Sequence, residues 1–253
     1  MMIDVHCHLE YMKNPEEVMK GVRERQMKII TSVASIEHTS LVLDYREKNQ
    51  GFVFVSLGLH PSNAVKISEK ELSNYFQFIV DNREKIVAIG EIGLDYKLVK
   101  PADVEKTKQV FRQMIELANS LSLPIFIHSR NSTSDCLEIL KAAKVPVILH
   151  NFTGNMTELA EALGRGYFIS VGTNVASSKN MKKAAKRVPA ERLLLETDSP
   201  WNDPYAKEPG VLSNVPWNIE FSAEFIAKLR ETTKEDILRQ TEENAVRLFG
   251  LEE

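Results

Sequence analysis

The stretch that decides the fold is Ile3-Asp4-Val5-His6-Cys7-His8, close to the start of the chain. Its apolar, partly β-branched beginning is typical of a buried strand, and it ends in two histidines. An open, doubly wound sheet more often carries a glycine-rich phosphate loop after its first strand, and this chain contains neither GxGxxG nor a P-loop. The stretch therefore favours a closed barrel.

The rest of the chain repeats the same unit of strand and helix. Seven further apolar runs have the composition of buried strands. They span 29–33, 53–57, 86–89, 125–127, 147–149, 167–170 and 193–195. Eight strands that alternate with helices in about 250 residues are the size of one barrel, so we predict an α/β fold, a single (β/α)8 TIM barrel.

Helical periodicity is clearest over 104–121, where Val110, Met114 and Leu121 belong to one apolar face, and Pro124 opens the next strand. A last helix is predicted over 234–249 from a capping-box-like start and a glycine at its end. Shorter helices are predicted around 15–26 and 41–46.

Length and composition fit one globular domain. The chain has 253 residues, of which 43% are hydrophobic and 26% charged, a balance that excludes a disordered protein. Neither a low-complexity linker nor an internal repeat divides the sequence, so we predict a single domain over 1–253.

The start of the chain and its cysteines indicate a cytoplasmic protein. The first residues lack the basic segment and apolar run of a signal peptide, and no apolar run approaches the ~18 residues of a membrane span. The two cysteines, Cys7 and Cys136, are too few for a disulfide framework and form no CxxC pair. We therefore expect a cytoplasmic location and no membrane partner, while the sequence does not indicate an oligomeric state.

Histidines and carboxylates accumulate where a (β/α)8 barrel carries its chemistry, at the carboxyl ends of the strands. A lone histidine is more often a core or surface residue, but five of the six histidines here stand at strand ends. Imidazole and carboxylate are ligands for Zn²⁺, and Mg²⁺ or Mn²⁺ also accept them. We therefore predict two divalent metal ions, Zn, Mg or Mn. The predicted ligands are His6, His8, Glu91, His128, His150 and Asp198.

The two-residue period of a strand points His6 and His8 to one face and Cys7 to the other, where it is a packing residue. Glu91 comes from a strand between the two groups of histidines, so we expect its two oxygens to bridge the ions. The remaining ligands then form two sets, His6, His8 and Asp198 for one ion and His128 and His150 for the other.

Two such ions bind and deprotonate a water and neutralise charge in the transition state of phosphodiester hydrolysis. Asp198 is the predicted general base, which makes Asp198 and Glu91 the predicted catalytic residues. Arg130 and His60 are predicted to bind substrate, the former through a forked contact to phosphate. The alternatives are a surface ion pair for Arg130 and a structural hydrogen bond in its loop for His60.

The net charge of −3 argues against a protein that holds DNA through a basic surface of its own. It does not exclude a hydrolase that acts on a phosphodiester, because two bound divalent cations supply positive charge locally.

Six blocks of sequence, in chain order, resemble the TatD family. They are Ile3 to Glu10, Gly58-Leu59-His60-Pro61, Gly90 to Tyr96, Pro124 to Arg130, His150-Asn151-Phe152-Thr153-Gly154 and Leu195 to Pro200. The resemblance implies a metal-dependent deoxyribonuclease on a TIM barrel of the amidohydrolase group, with DNA as substrate and the ligand roles given above. The chain departs from the family at Asn151, where an HCFTG block often has cysteine, and at Ser213, where members commonly carry the arginine of Arg-Asn-x-Pro.

Other activities are compatible with a barrel that carries an HxH pair. One is an amidohydrolase acting on a cyclic amide, lactone or ester, although Glu91 stands where many such enzymes have a carbamylated lysine. A deacylase acting on aminoacylated RNA is another. A non-catalytic, metal-stabilised scaffold is the third, and the complete set of six ligands argues against it, because a scaffold needs no open dinuclear site.

Overall fold

The apolar runs form eight parallel strands, each paired with the next one along the chain. The structure, a computed structural model, describes residues 1–33, 35–208 and 210–251. The strands are β1 (Ile3–Cys7), β2 (Lys28–Val33), β3 (Val53–Leu57), β4 (Ala88–Asp95), β5 (Ile125–Arg130), β6 (Val147–Leu149), β7 (Phe168–Val171) and β8 (Leu193–Leu195). Most of their side chains are buried, as expected for a parallel sheet covered on its outside.

The sheet closes between its last strand and its first. The backbone N–H of Asp198 donates to the carbonyl of His6 at 3.0 Å, and that of His8 donates to the carbonyl of Ser199 at 2.8 Å. The buried carboxylate of Asp4 strengthens this seam by accepting hydrogen bonds from the backbone N–H and the hydroxyl of Thr197. The predicted (β/α)8 TIM barrel is therefore confirmed.

Helices cover the outside of the barrel between consecutive strands. They are α1 (Pro15–Glu24), α2 (Thr39–Lys48), α3 (Pro61–Ala64), α4 (Glu69–Asp81), α5 (Val104–Leu121), α6 (Thr133–Ile139), α7 (Met156–Gly164), α8 (Lys179–Arg187), α9 (Ile219–Arg230) and α10 (Lys234–Phe249). The two longest, α5 and α10, have the bounds predicted from the sequence. Helix α10 begins after Thr233, whose side chain accepts from the N–H of Asp236, and ends at Gly250 in the left-handed region with φ of 63°.

Inside the barrel, a small apolar cluster separates one end from the other. Its members are Ile3, Val5, Ile30, Ala88, Phe126, Ile148, Phe168 and Leu194, with Ala245, Phe249 and Leu251 from the end of the chain. Phe126 stacks on Phe249 at 5.3 Å, so helix α10 closes the amino-terminal end of the barrel. On its other side, the ring of Phe126 meets the edge of His6 at 5.5 Å. Phe126 is thus an apolar floor beneath the polar end of the barrel.

Strands β4 and β5 run further than the sequence indicates, and Glu91 and His128 lie within them rather than after them. The ladder between these strands continues to the pair of Asp95 and Arg130. Gly93 makes this possible, because its φ of 141° is rarely adopted by other residues and a Cβ there would lie 2.0 Å from the carbonyl oxygen of His128.

Both cysteines are buried and free. The Sγ of Cys7 points to the carbonyl of Ile30 at 3.7 Å, in the core between strands and helices, as expected for a packing residue. Among the described residues, no helix is both long and apolar enough to cross a membrane.

Candidate metal centre

The six predicted ligands lie together at the carboxyl end of the barrel. Five of them, all except the fully buried His6, border a cleft of about 780 Å³ into which segments from most of the strands project. Among the residues that the structure describes, four overlapping groups of three side chains there are close enough to hold an ion, and two of these groups, His6-His8-Asp198 and Glu91-His128-His150, consist of the predicted ligands alone.

In the first set, the Nε2 atoms of His6 and His8 lie 3.1 Å apart. Asp198 Oδ1 is 4.0 Å from the former and 3.6 Å from the latter, and Glu91 Oε2 is 3.8 Å from both. Ligand bonds of about 2.0–2.2 Å place neighbouring donor atoms of one ion roughly 3 to 3.5 Å apart. These four atoms therefore fit the coordination sphere of one divalent ion with only small movements.

The second set uses the other oxygen of the same glutamate. Glu91 Oε1 lies 2.6 Å from His128 Nδ1 and 2.8 Å from His150 Nε2, and these two nitrogens are 3.5 Å apart. The structure thus brings all six predicted ligands together, in the two sets expected, with one oxygen of Glu91 in each.

Two of the strands that carry predicted ligands, β1 and β4, are irregular at the ligand. The register of β1 against β2 shifts between Asp4 and Cys7, around His6. The register of β4 against β5 shifts between Ile89 and Ile92, around Glu91. An extra residue in one strand re-aims a side chain, and here it directs His6 and Glu91 towards the other predicted ligands.

Three of the four imidazoles are hydrogen-bonded through their second nitrogen, and the second nitrogen of the fourth, His8, has a carboxylate near it. A ligand histidine is commonly oriented in this way, because the outer partner fixes which nitrogen is free for a metal. The outer contacts are Ser32 Oγ to His6 Nδ1 at 3.0 Å, Glu10 Oε1 to His8 Nδ1 at 3.5 Å, Asp95 Oδ2 to His128 Nε2 at 3.0 Å and Glu196 Oε1 to His150 Nδ1 at 3.2 Å.

Asp95 and Glu196 are carboxylates of the candidate centre that the sequence prediction missed. Asp95 is fixed by the backbone N–H groups of Lys97 and Leu98, and Glu196 accepts from the hydroxyl of Ser170. The sequence feature that could have pointed to Glu196 was its position two residues before the predicted ligand Asp198. For Asp95, the corresponding feature was its position as the second acidic residue in the segment that contains Glu91.

Electrostatics couple the second set of ligands tightly. Burial alone would raise the pKa of Glu91, but the imidazoles of His150 and His128 hold it well below its usual value. Burial opposes charge on both histidines, yet Glu91 and their outer carboxylates raise their pKa values. Glu91 is thereby kept anionic although the residue is only 3% exposed.

The first set differs between its two histidines. Burial, assisted by the neighbouring His150, lowers the pKa of His6 well below its usual value and keeps its ring neutral. Burial would do the same to His8, but the nearby carboxylates of Asp198 at 3.6 Å and Glu10 at 3.5 Å raise its pKa to about 10. Divalent ions fit this donor set, because they take the place of the imidazole protons and balance the buried carboxylates.

Asp198 is the most exposed carboxylate among the ligands, with 16% of its side chain accessible. While Oδ1 faces the first set, Oδ2 accepts hydrogen bonds from the amide groups of Asn151 at 3.2 Å and Asn202 at 2.9 Å. Its backbone has a φ of 55°, a left-handed conformation in which aspartate is tolerated better than most residues. Asn151, one of the departures from the family pattern, therefore contacts a predicted metal ligand directly.

Both predicted substrate-binding residues line the cleft. Arg130 is exposed and makes no ion pair with any residue that the structure describes. His60 caps helix α3 by accepting from the N–H of Ser62, so the alternative structural contact is present as well. Burial lowers the pKa of His60 to about 4, and its ring meets the edge of His128 at 4.5 Å.

Ser213, the other departure from the family pattern, is exposed and donates to Asp203 at 2.5 Å. The next residue, Asn214, is buried and its amide donates to the carbonyls of Thr197 and Trp201. These hydrogen bonds fix the position of the segment that follows β8.

Proteins of known family match this chain along almost its whole length. The family model described as TatD related DNase matches residues 3–250. A Bacillus subtilis protein described as uncharacterized metal-dependent hydrolase YabD is 36% identical over 99% of this chain and 100% of its own. The human protein described as deoxyribonuclease TATDN3 is 30% identical over 98% of this chain and 94% of its own.

Solved structures agree. YJJV, a TatD homolog from Escherichia coli, has a TM-score of 0.87 and 25% identity, with 98% of each chain covered. A TatD family hydrolase from Entamoeba histolytica, 23% identical, shares the fold with a TM-score of 0.86 over 99% of this chain and 98% of its own. The resemblance predicted from six sequence blocks is confirmed, and this chain belongs to the TatD related DNase family.

Proposed function

We propose that this protein hydrolyses phosphodiester bonds of DNA with two divalent metal ions held between Glu91 and the two sets of ligands. Its class, a metal-dependent hydrolase acting on ester bonds, is that of its family, as predicted. The observation that carries the proposal is the position of Glu91. Its Oε1 lies within 2.8 Å of two imidazole nitrogens and its Oε2 lies 3.8 Å from two others, which suits a carboxylate shared by two ions.

The protein supplies orientation and proton transfer around the ions. When bound, the two cations supply an activated water and neutralise the charge that develops on the phosphate oxygens. Asp198 Oδ1 is the atom we assign to accept the proton, because the amides of Asn151 and Asn202 hold Oδ2 and leave Oδ1 directed into the centre.

Arg130 and His60 complete the proposed site on its substrate side. The unpaired, exposed guanidinium of Arg130 is free to donate two hydrogen bonds to a phosphate. The neutral ring of His60 has its Nδ1 occupied by Ser62, which leaves Nε2 as the atom for a substrate or for the outer surface of the centre.

The proposal covers residues 1–253 as one catalytic domain, since strands from both ends of the chain contribute ligands. DNA as the substrate is supported by the human relative, which is described as a deoxyribonuclease. A cytoplasmic location stays a prediction, with which the two free, buried cysteines are compatible.

A lactonase or amidase of the carbamylated-lysine type has less support. Among the described residues that line the cleft, none is a lysine, and Glu91 is the residue that we propose as the bridge.

The decisive experiment removes the bridge and keeps its shape. Metal-depleted protein should gain the ability to cleave an oligodeoxynucleotide when Mg²⁺, Mn²⁺ or Zn²⁺ is added. Glu91→Gln should lose this activity by several orders of magnitude while keeping its circular dichroism spectrum. Full activity in Glu91→Gln, or turnover of lactones and cyclic amides but not of DNA, would falsify the proposal.

A further inference from the structure

One side of the cleft is made of aromatic rings that the metal centre does not use. Tyr11, His38 and Trp201 all line the cleft. They come from the segments that follow β1, β2 and β8, which are neighbouring strands of the closed barrel. These three residues are called the aromatic wall below.

The rings of the aromatic wall form a continuous row. The centroid of Tyr11 lies 5.4 Å from that of His38 and 5.3 Å from that of Trp201. Trp201 in turn meets the edge of His8 at 5.1 Å with an interplanar angle of 81°. Such edge and tilted contacts fix the rings relative to one another. The wall therefore leads from the rim of the cleft to a predicted metal ligand.

The wall is not part of the core. Tyr11 is 36% exposed, and Trp201 and His38 are half-buried, whereas Phe126 beneath the centre is fully buried. Aromatic surface that remains in water beside a polar centre gains free energy when a ligand covers it.

Another part of the cleft lining, from the segments around β3 and β5, has a different chemistry. It carries the polar and cationic side chains of Ser62, Asn63 and Arg130. A ligand that matches both parts of the lining has a flat aromatic part and an anionic part attached to it. A nucleotide has this composition, and a simple lactone or cyclic amide does not.

We propose that the aromatic wall is a nucleobase-stacking subsite that holds the base of a nucleotide adjoining the scissile phosphate. This inference rests on the proposed function. Trp201 contacts a predicted metal ligand, so the base it stacks on belongs to one of the two nucleotides joined by the bond that is cut. Stacking on aromatic side chains tolerates every base, because each base has a π-face, and its loss lowers affinity roughly five- to hundredfold.

The test removes the ring from the protein and the base from the substrate, separately and together. A short single-stranded oligodeoxynucleotide is prepared intact or with an abasic analogue on one or the other side of the mapped cleavage position. Wild-type protein should lose roughly five- to hundredfold in kcat/KM at one of these positions. Trp201→Leu and Tyr11→Leu should lose a similar factor on intact DNA and little more on that abasic DNA, because both changes remove the same contact.

Tyr205→Leu is the matched control. Tyr205 is 66% exposed, follows the same strand as Trp201 and packs on Phe221 at 5.7 Å, outside the cleft lining. This variant should discriminate abasic from intact DNA as the wild type does. Trp201→Phe keeps a ring and should recover most of the discrimination. Should Trp201→Leu fail to fold, Tyr11→Leu at an exposed position decides.

The stacking subsite would be overturned if removing the ring and removing the base each lowered kcat/KM by its own full factor at both abasic positions. DNA cleavage itself would still stand. Wild-type protein that cleaves no DNA with any of the three metal ions would instead overturn the proposed function. The two failures are therefore distinguishable.

Discussion

Asp95 Oδ2 lies 3.0 Å from Nε2 of His128, while Nδ1 of the same ring lies 2.6 Å from Oε1 of Glu91. The imidazole is thus held at both nitrogens by two carboxylates of strand β4, four residues apart. Asp95 is itself rigid, because its Oδ1 accepts from the backbone N–H groups of Lys97 and Leu98. Its place makes Asp95 a positioning residue for a metal ligand.

Replacement of Asp95 by asparagine should therefore weaken metal binding. The amide keeps the shape of the side chain but removes the charge that orients His128 and increases its basicity. Loss of such an outer partner typically lowers metal affinity or activity about 10- to 100-fold. Titration of the metal-depleted protein with Mn²⁺, followed by calorimetry, measures the change.

Asp135→Asn is the control for that experiment. Asp135 also holds a neighbour, Tyr96, and pairs with Lys108, but it lies outside the cleft lining. Its replacement should leave the metal affinity unchanged. If Asp95→Asn and Asp135→Asn bind Mn²⁺ equally well, Asp95 has no positioning role.

Gly93→Ala should lower the free energy of unfolding by more than the same substitution at an exposed glycine does. A Cβ at Gly93 would lie 2.0 Å from the backbone oxygen of His128, and the φ of 141° adds strain. We expect a loss of about 3 kcal/mol or more in the free energy of unfolding. Gly51→Ala is the comparison, because Gly51 also has a positive φ, 80°, but no atom near the added Cβ, and should cost about 1–2 kcal/mol. Equal losses in urea titrations would refute the close approach as the cause.

The fold was predictable because the signals of strand and helix are local. Apolar runs and helical periodicity set β1 to β8 and the bounds of α5 and α10. The full lengths of β4 and β5 were not predictable, because the glycines and polar residues after Ile89 and the polar residues after Ile127 have the composition of a loop. Those segments remain in the ladder because Gly93 lets the neighbouring backbone approach, a non-local property.

The six residues of the candidate centre and their division into two sets were predictable, but the backbone geometry that aims them was not. The position of histidines and carboxylates at strand ends indicated the six ligands, whereas the register shifts around His6 and Glu91 emerge only from strand pairing. Asp95 and Glu196 were missed because their closeness in sequence to a predicted ligand does not by itself show which histidine each of them contacts. The aromatic wall was missed for a related reason, since its three residues meet only when β8 closes onto β1.

Removal of metal should lower the stability of the protein. The centre gathers buried carboxylates that divalent ions balance, and an ion that binds only the folded state stabilises it by about 2.7 kcal/mol at a free concentration of about 100 times its Kd. The melting temperature of chelator-treated protein should rise with added Mn²⁺, and the rise should be much smaller in Glu91→Gln. A melting temperature that does not respond to metal in the wild type would contradict the assignment of the six ligands.

Asn151 and Asn202 should affect metal binding only through their hydrogen bonds to Asp198. Their amides donate to Oδ2 at 3.2 and 2.9 Å, and a hydrogen bond to a charged group contributes about 1.5–3 kcal/mol. Asn151→Ala and Asn202→Ala should therefore each weaken the binding of one of two metal ions by roughly 10- to 100-fold and leave the other unchanged. In an Asp198→Asn background, where the carboxylate is gone, the same substitutions should have almost no further effect on metal affinity. Full effects in that background would mean that the two amides act elsewhere in the cleft and that Oδ1 of Asp198 is not held in place by them.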